Sequence, residues 1–108
     1  QPIGFRYRTR RYFMTDETKL HLDLSRAARA KQITDNELFR EAFQKLEQTY
    51  IAELMGSEAH EQRKRENLWQ AVQILGNLRD HFSTILMNGK IAKAELDQLS
   101  NMKRPKAA

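Results

Sequence analysis

Three histidines, His21, His60 and His81, are the side chains best suited to metal binding or proton transfer. A helix-borne metal site needs ligands at i,i+3 or i,i+4, as in His-Glu-x-x-His. His60-Glu61 opens that string, but Lys64 stands where the second histidine belongs, and a cation there repels a metal. Asp80-His81 with Ser83 offers a nucleophile, a base and an orienting acid. On a helix, however, neighbours at i,i+1 and i,i+2 point apart, so Ser83 cannot aim at His81. The carboxylates alternate with bases, as on solvated helix faces, and no two stand out as an acid/base couple. Gly56, Gly76 and Gly89 stand singly, so there is no glycine-rich phosphate loop. The chain has no cysteine, which removes thiolate ligands, cysteine nucleophiles and disulfides. The reading is therefore non-enzymatic, with no cofactor and no metal.

Binding chemistry is better represented. Residues 1–13 carry Arg6, Arg8, Arg10 and Arg11 without any acid, so this arm supplies four of the five net positive charges. Its arginines alternate with Phe5, Tyr7, Tyr12 and Phe13, a mixture suited to phosphate contact and base stacking. The same mixture also suits an acidic protein surface. Arg26, Arg29 and Lys31 form a second basic run. Arg63-Lys64-Arg65 forms a third, but Glu58, Glu61 and Glu66 surround it, which reads as a solvated helix turn. A helix-turn-helix over residues 24–43 has the right rhythm of small and apolar residues. It lacks the usual turn glycine, and Asp35, Glu37 and Glu41 would face DNA phosphates.

These groups must be positioned by helices. Between residues 15 and 100 there is no proline, and alanine, leucine, glutamate and lysine abound. Leu38, Phe39, Ala42, Phe43, Leu46, Tyr50, Ile51 and Leu54 recur at helical spacing and form one apolar stripe. Glu41 and Lys45 stand as a favourable i,i+4 pair on the other side. Leu68, Ala71, Val72, Leu75, Leu78, Phe82, Ile85 and Leu86 form a second stripe. Trp69 lies at its edge, as a core residue or as a contact between subunits. Thr34 with Glu37 could cap a fresh helix, but nothing forces a break. The pattern predicts one long helix over residues 18–55, roughly 55 Å, and a second over 58–87, roughly 45 Å. Gly56 is expected at the C′ position just past the end of the first, with Ser57 capping the second. Asn88-Gly89 is expected to stop the second helix, leaving a short third helix over 91–99 with Ile91, Ala92, Leu96 and Leu99 inward. Mid-helix Gly76 suggests a close helix crossing. Pro2 and Gly4 argue against helix in the arm, and the basic tail, residues 101–108, reads as disordered. Met14 follows the arm directly and could be a natural start.

Two stretches carry a resemblance. The first is Asp35-Asn36-Glu37-Leu38-Phe39-Arg40-Glu41-Ala42-Phe43 with Leu46 and Tyr50-Ile51. The second is Glu66-Asn67-Leu68-Trp69, leading to Leu78-Arg79-Asp80-His81-Phe82 and Asn88-Gly89-Lys90-Ile91-Ala92 with Glu95-Leu96. Together they resemble short helical proteins that tailed bacteriophages encode near head and DNA-packaging genes. Size and helical hairpin are also similar to the oligomerisation part of small terminase subunits. The resemblance implies a phage-encoded partner in head assembly or packaging, located in the host cytoplasm or the virion.

The expected architecture is all-α: a long antiparallel helical hairpin over residues 14–100, a short C-terminal third helix, and flexible basic ends. The expected function is a self-associating interaction or assembly protein. Leu38, Phe39, Phe43, Tyr50, Trp69, Leu75 and Phe82 would form its core and interface. The alternative is a nucleic-acid-binding module in which Arg6, Arg8, Arg10, Arg11, Arg26 and Arg29 contact phosphates. No apolar run approaches the roughly 18 residues of a membrane span.

Overall fold

A computed structural model describes the backbone over residues 2–103 and side chains over 16–102. The described chain is all α-helix: α1 Pro2–Thr34, α2 Glu37–Gly56 and α3 Gln62–Lys103. It divides into two compact units, Gln1–Arg29 with Ile85–Ala108, and Ala30–Thr84.

Four boundaries differ from expectation, each for a local reason. The arm is not a non-helical segment, since α1 starts at Pro2. Proline at the first helical position loses no hydrogen bond, because that N–H has no intrahelical partner anyway. Gly4 within the same helix costs only about 1 kcal/mol relative to alanine. The single long helix over 18–55 is instead broken at Asp35-Asn36. Asn36 sits in extended backbone, φ −64° and ψ 122°, and its Oδ1 accepts the Phe39 N–H at 2.9 Å. Asparagine is among the strongest N-caps, so it starts α2 without help from glycine. Thr34 does not form the capping box, and its hydroxyl donates to the Lys31 carbonyl. Lys31 lies in the last turn of α1, where a cation suits the helix dipole, and pairs with Asp35 at 3.0 Å.

Gly56 remains inside α2, and no described residue has a positive φ. Ser57 therefore closes α2 rather than opening the next helix. Its N–H and its hydroxyl both donate to the Leu54 carbonyl, at 3.2 and 2.6 Å. A turn follows, in which the Glu61 N–H donates to the Glu58 carbonyl and the Glu61 carbonyl accepts the Arg65 N–H that begins α3. The fourth difference is that α3 runs through Asn88-Gly89 without stopping, so there is no separate third helix. The helix also takes in Asn101 and Met102 of the expected tail; residues 104–108 lie outside the described residues.

Within the first unit Gly89 is buried against α1. A Cβ built on it would overlap the Ala27 Cβ and stand 3.5 Å from the Asp23 carbonyl oxygen. This glycine is a contact point between helices, not a helix stop. Ala92, one turn further on, is buried. Gly76, where a close crossing was expected, has nothing within 4 Å of its built Cβ.

In the second unit, α2 meets the first half of α3. Phe39 lies 5.9 Å from Phe82, edge to face, and 6.0 Å from Phe43. Such ring pairs add roughly 0.5–1.5 kcal/mol beyond area burial. Arg79 stacks 5.3 Å over Phe43 and donates from Nη2 to Glu47 Oε2 at 2.5 Å. Leu68 and Ala30 are the buried apolar residues of this unit.

Candidate functional site

Within neither unit are the described residues with catalytic potential gathered into one site. His21, His60 and His81 are all exposed. His60 Nδ1 lies 3.2 Å from Glu58 Oε2, an exposed contact between near neighbours in the turn before α3. The other half of the His60-Glu61 string is engaged elsewhere. Glu61 Oε1 accepts the Glu58 N–H at 3.0 Å, and Oε2 lies 3.7 Å from Lys64 Nζ. The backbone hydrogen bond first, and the lysine charge second, hold the Glu61 carboxyl below its ordinary pKa of 4.5. Lys64 thus neutralises the acid that a metal would need. Among the described residues no group of three His, Asp or Glu side chains could hold a metal ion. Ser83 and His81 share no hydrogen bond, as their i,i+2 spacing on α3 requires.

The residues expected to bind phosphate divide in two. The side chains of Arg6, Arg8, Arg10 and Arg11 lie outside the described residues. Arg26 and Arg29 are exposed on α1, three residues apart, and neither forms an ion pair among the described residues. The helix-turn-helix reading meets a real break between α1 and α2. Its connection is only Asp35-Asn36, shorter than the 3–4 residues usual for that motif. Among the described residues Glu41 and Lys45 are not ion-paired with each other; the Lys45 backbone carbonyl accepts the Thr49 hydroxyl.

The apolar residues expected as core and interface also divide. Phe39, Phe43, Tyr50, Leu75 and Phe82 are half-buried, with Phe39 and Phe43 on the same side of α2 as Glu47 and Tyr50. Leu38 is 73% exposed, so it is not core. Trp69 is 53% exposed beside Met55, 81% exposed, and together with Leu54 and Arg65 they line an open depression. Trp69 is therefore a surface aromatic. Its place at 100° per residue puts it past the edge of the stripe that Leu68 and Leu75 define. Sequence reasoning missed the capping role of Asn36, the stacking of Arg79 and the contact at Gly89. The first had a signal in residue type, because asparagine outranks threonine as a cap.

What the molecule has in quantity is exposed apolar surface. Among the described residues no large side chain is fully buried, and the buried apolar set is Ala30, Leu68 and Ala92. Against these stand twelve large hydrophobic side chains at 42% exposure or more. No helix of the described residues is long and apolar enough to cross a membrane. No family model, curated protein or solved structure matches the chain.

Proposed function

We propose that this chain is a non-enzymatic assembly module that associates with copies of itself through helix faces. The observation that carries the reading is the inverted burial: among the described residues, two small alanines and one leucine inside, and twelve large apolar side chains outside. A single exposed leucine needs no explanation. A whole set of them on helices whose buried faces are this thin leaves little to offset chain entropy. Association supplies the missing burial, as in helix bundles assembled from pairs. In this reading the α2/α3 hairpin is the building block. The resemblance to short phage helical proteins supports a role in head assembly or DNA packaging, in the host cytoplasm or the virion.

A second reading, nucleic-acid binding, is favoured by Arg26 and Arg29, exposed and unpaired among the described residues on one side of α1. Salt separates the two. A DNA complex held by two phosphate-bound arginines weakens roughly tenfold between 50 and 200 mM salt, because cations compete for the phosphates. An apolar helix interface hardly responds. Sedimentation of the full chain across both salt concentrations, with and without duplex DNA, tests both. A salt-insensitive multiple of the 12.7 kDa chain mass supports assembly. A chain that stays monomeric at every concentration defeats it.

A further inference from the structure

Four of the eight exposed large apolar side chains of the second unit, Leu38, Leu46, Ile74 and Leu78, gather on one flank. On α2, Phe39, Phe43 and Glu47 face α3, as their contacts with Phe82 and Arg79 show. At 100° per residue, Leu38, Ala42 and Leu46 form an adjacent row on one flank of that contact line. All three are exposed. On α3, Arg79 and Phe82 face back to α2, and Ile74 and Leu78 form the next row. Ile74 is 66% exposed, and Leu78 is exposed as well. The contacts pair residue 39 with 82 and residue 47 with 79, so the two helices run in opposite directions here. That reversal brings both rows to the same flank. The other flank carries Arg40, Gln44 and Asp80, all exposed, beside the Glu47–Arg79 pair, and Ile51 is the exposed large apolar side chain on its next turn.

Resting on the self-association proposed above, the geometry points to one interface: a second copy of this chain seated on the Leu38/Ala42/Leu46 and Ile74/Leu78 flank. Two features select a second copy over another occupant. The α2 row is palindromic, with a leucine four residues either side of Ala42. A two-fold axis at Ala42 would place each Leu38 beside the partner's Leu46, and the alanines at the point of closest approach would admit a tight crossing. Area is the second. Leu38 at 73%, Ile74 at 66%, Leu46 at 46% and Leu78 at 43% exposure adjoin one another, a continuous aliphatic area that counts toward the ~800 Å² each partner of a standard stable complex buries. Thr49, Gln70 and His81 edge the patch and supply the polar rim such an interface carries.

The full-length chain and its Leu46→Glu/Ile74→Glu double variant would be compared by sedimentation equilibrium from 1 to 200 µM, with Met55→Glu as the control away from the patch. The unaltered chain and Met55→Glu should form dimers, and the double variant should need at least a hundredfold higher concentration to do so. A dimeric double variant overturns this interface but leaves self-association standing. A monomeric unaltered chain overturns both. A second arm uses a small substitution at an exposed position. Because the chain has no cysteine, Ala42→Cys introduces one thiol next to the proposed two-fold. Mild oxidation should link it to its own copy at least tenfold faster than Met55→Cys. Equal rates overturn the crossing at Ala42.

Discussion

Gly76 and Gly89 lie in the same helix thirteen positions apart, and replacing each with alanine should move stability in opposite directions. The helical contribution is common to both: alanine is preferred over glycine inside a helix by about 1 kcal/mol, chiefly through the unfolded chain. At Gly76 nothing lies within 4 Å of the new Cβ, and φ is not positive. Gly76→Ala should therefore stabilise by about 1 kcal/mol. At Gly89 the new methyl would overlap the Ala27 Cβ and press toward the Asp23 carbonyl and the Ala27 Cα, at 3.5 and 3.6 Å. These are main-chain and Cβ atoms that cannot rotate away, so α1 and α3 must separate locally. Overpacking of this kind costs roughly 1–3 kcal/mol and outweighs the helical gain. An overlap this deep between two Cβ atoms takes the upper part of that range, about 2–3 kcal/mol, so after the helical gain of about 1 kcal/mol Gly89→Ala should lose about 1–2 kcal/mol net. Thermal unfolding followed by circular dichroism reads both variants, at one protein concentration because the proposed association would raise the midpoint. At about 4–8 °C per kcal/mol for a domain of this size, the two midpoints should lie roughly 10 °C or more apart. Ala27→Gly combined with Gly89→Ala should recover most of the lost packing. An increase in midpoint for Gly89→Ala equal to that of Gly76→Ala would refute the close approach of α1 and α3.

Three further outcomes follow from local geometry. Asn36→Ala should destabilise by about 1 kcal/mol, because the Phe39 N–H loses its side-chain acceptor, whereas Asn36→Asp should not; chemical denaturation checks both. Phe82→Ala should cost about 2 kcal/mol, less than for a fully buried ring, since Phe82 is half-buried and loses its edge-to-face partner Phe39; the midpoint of urea unfolding measures it. Glu61 has a depressed folded-state pKa, so its contribution is present above the unfolded value of 4.5 and is lost as pH falls through the folded value. Glu61→Gln should therefore lower the thermal midpoint at pH 7 and converge with the parent chain well below pH 4.5. A gap that stays constant down to pH 2 would sink that assignment.

The helical class was legible because period and composition agreed over most of the chain. The two apolar stripes on α2 and α3 do meet, at Phe39, Phe43 and Phe82. What the sequence hid were the places where one residue type serves two ends. Glycine stops helices by accepting positive φ, and it also admits another backbone to close approach. Asn88-Gly89 carries both meanings, and only the location of Ala27 on α1 decides between them. Gly76 illustrates the converse, since a mid-helix glycine need not mark any crossing. The break before α2 had a local cause in Asn36, but alanine-rich sequence on its N-terminal side argued for continuity with equal force.

The apolar stripe was also read too broadly. Leu38 and Phe39 are neighbours in sequence and differ by 100° around α2, so only one can lead into the α3 contact. Phe39 takes it, with rings on both sides, and Leu38 is left exposed. The same arithmetic separates Leu78 from Arg79 on α3, where the charged residue turns inward because Glu47 and the face of Phe43 satisfy its guanidinium. Apolar periodicity therefore located the helix faces correctly to within one row, and the misplaced row is the one on which the proposed interface is built. A stripe wider than one partner helix can cover needs a second partner. On this chain the surplus row of α2 is exposed and carries a leucine four residues either side of Ala42, and the proposed contact with a second copy rests on that symmetry.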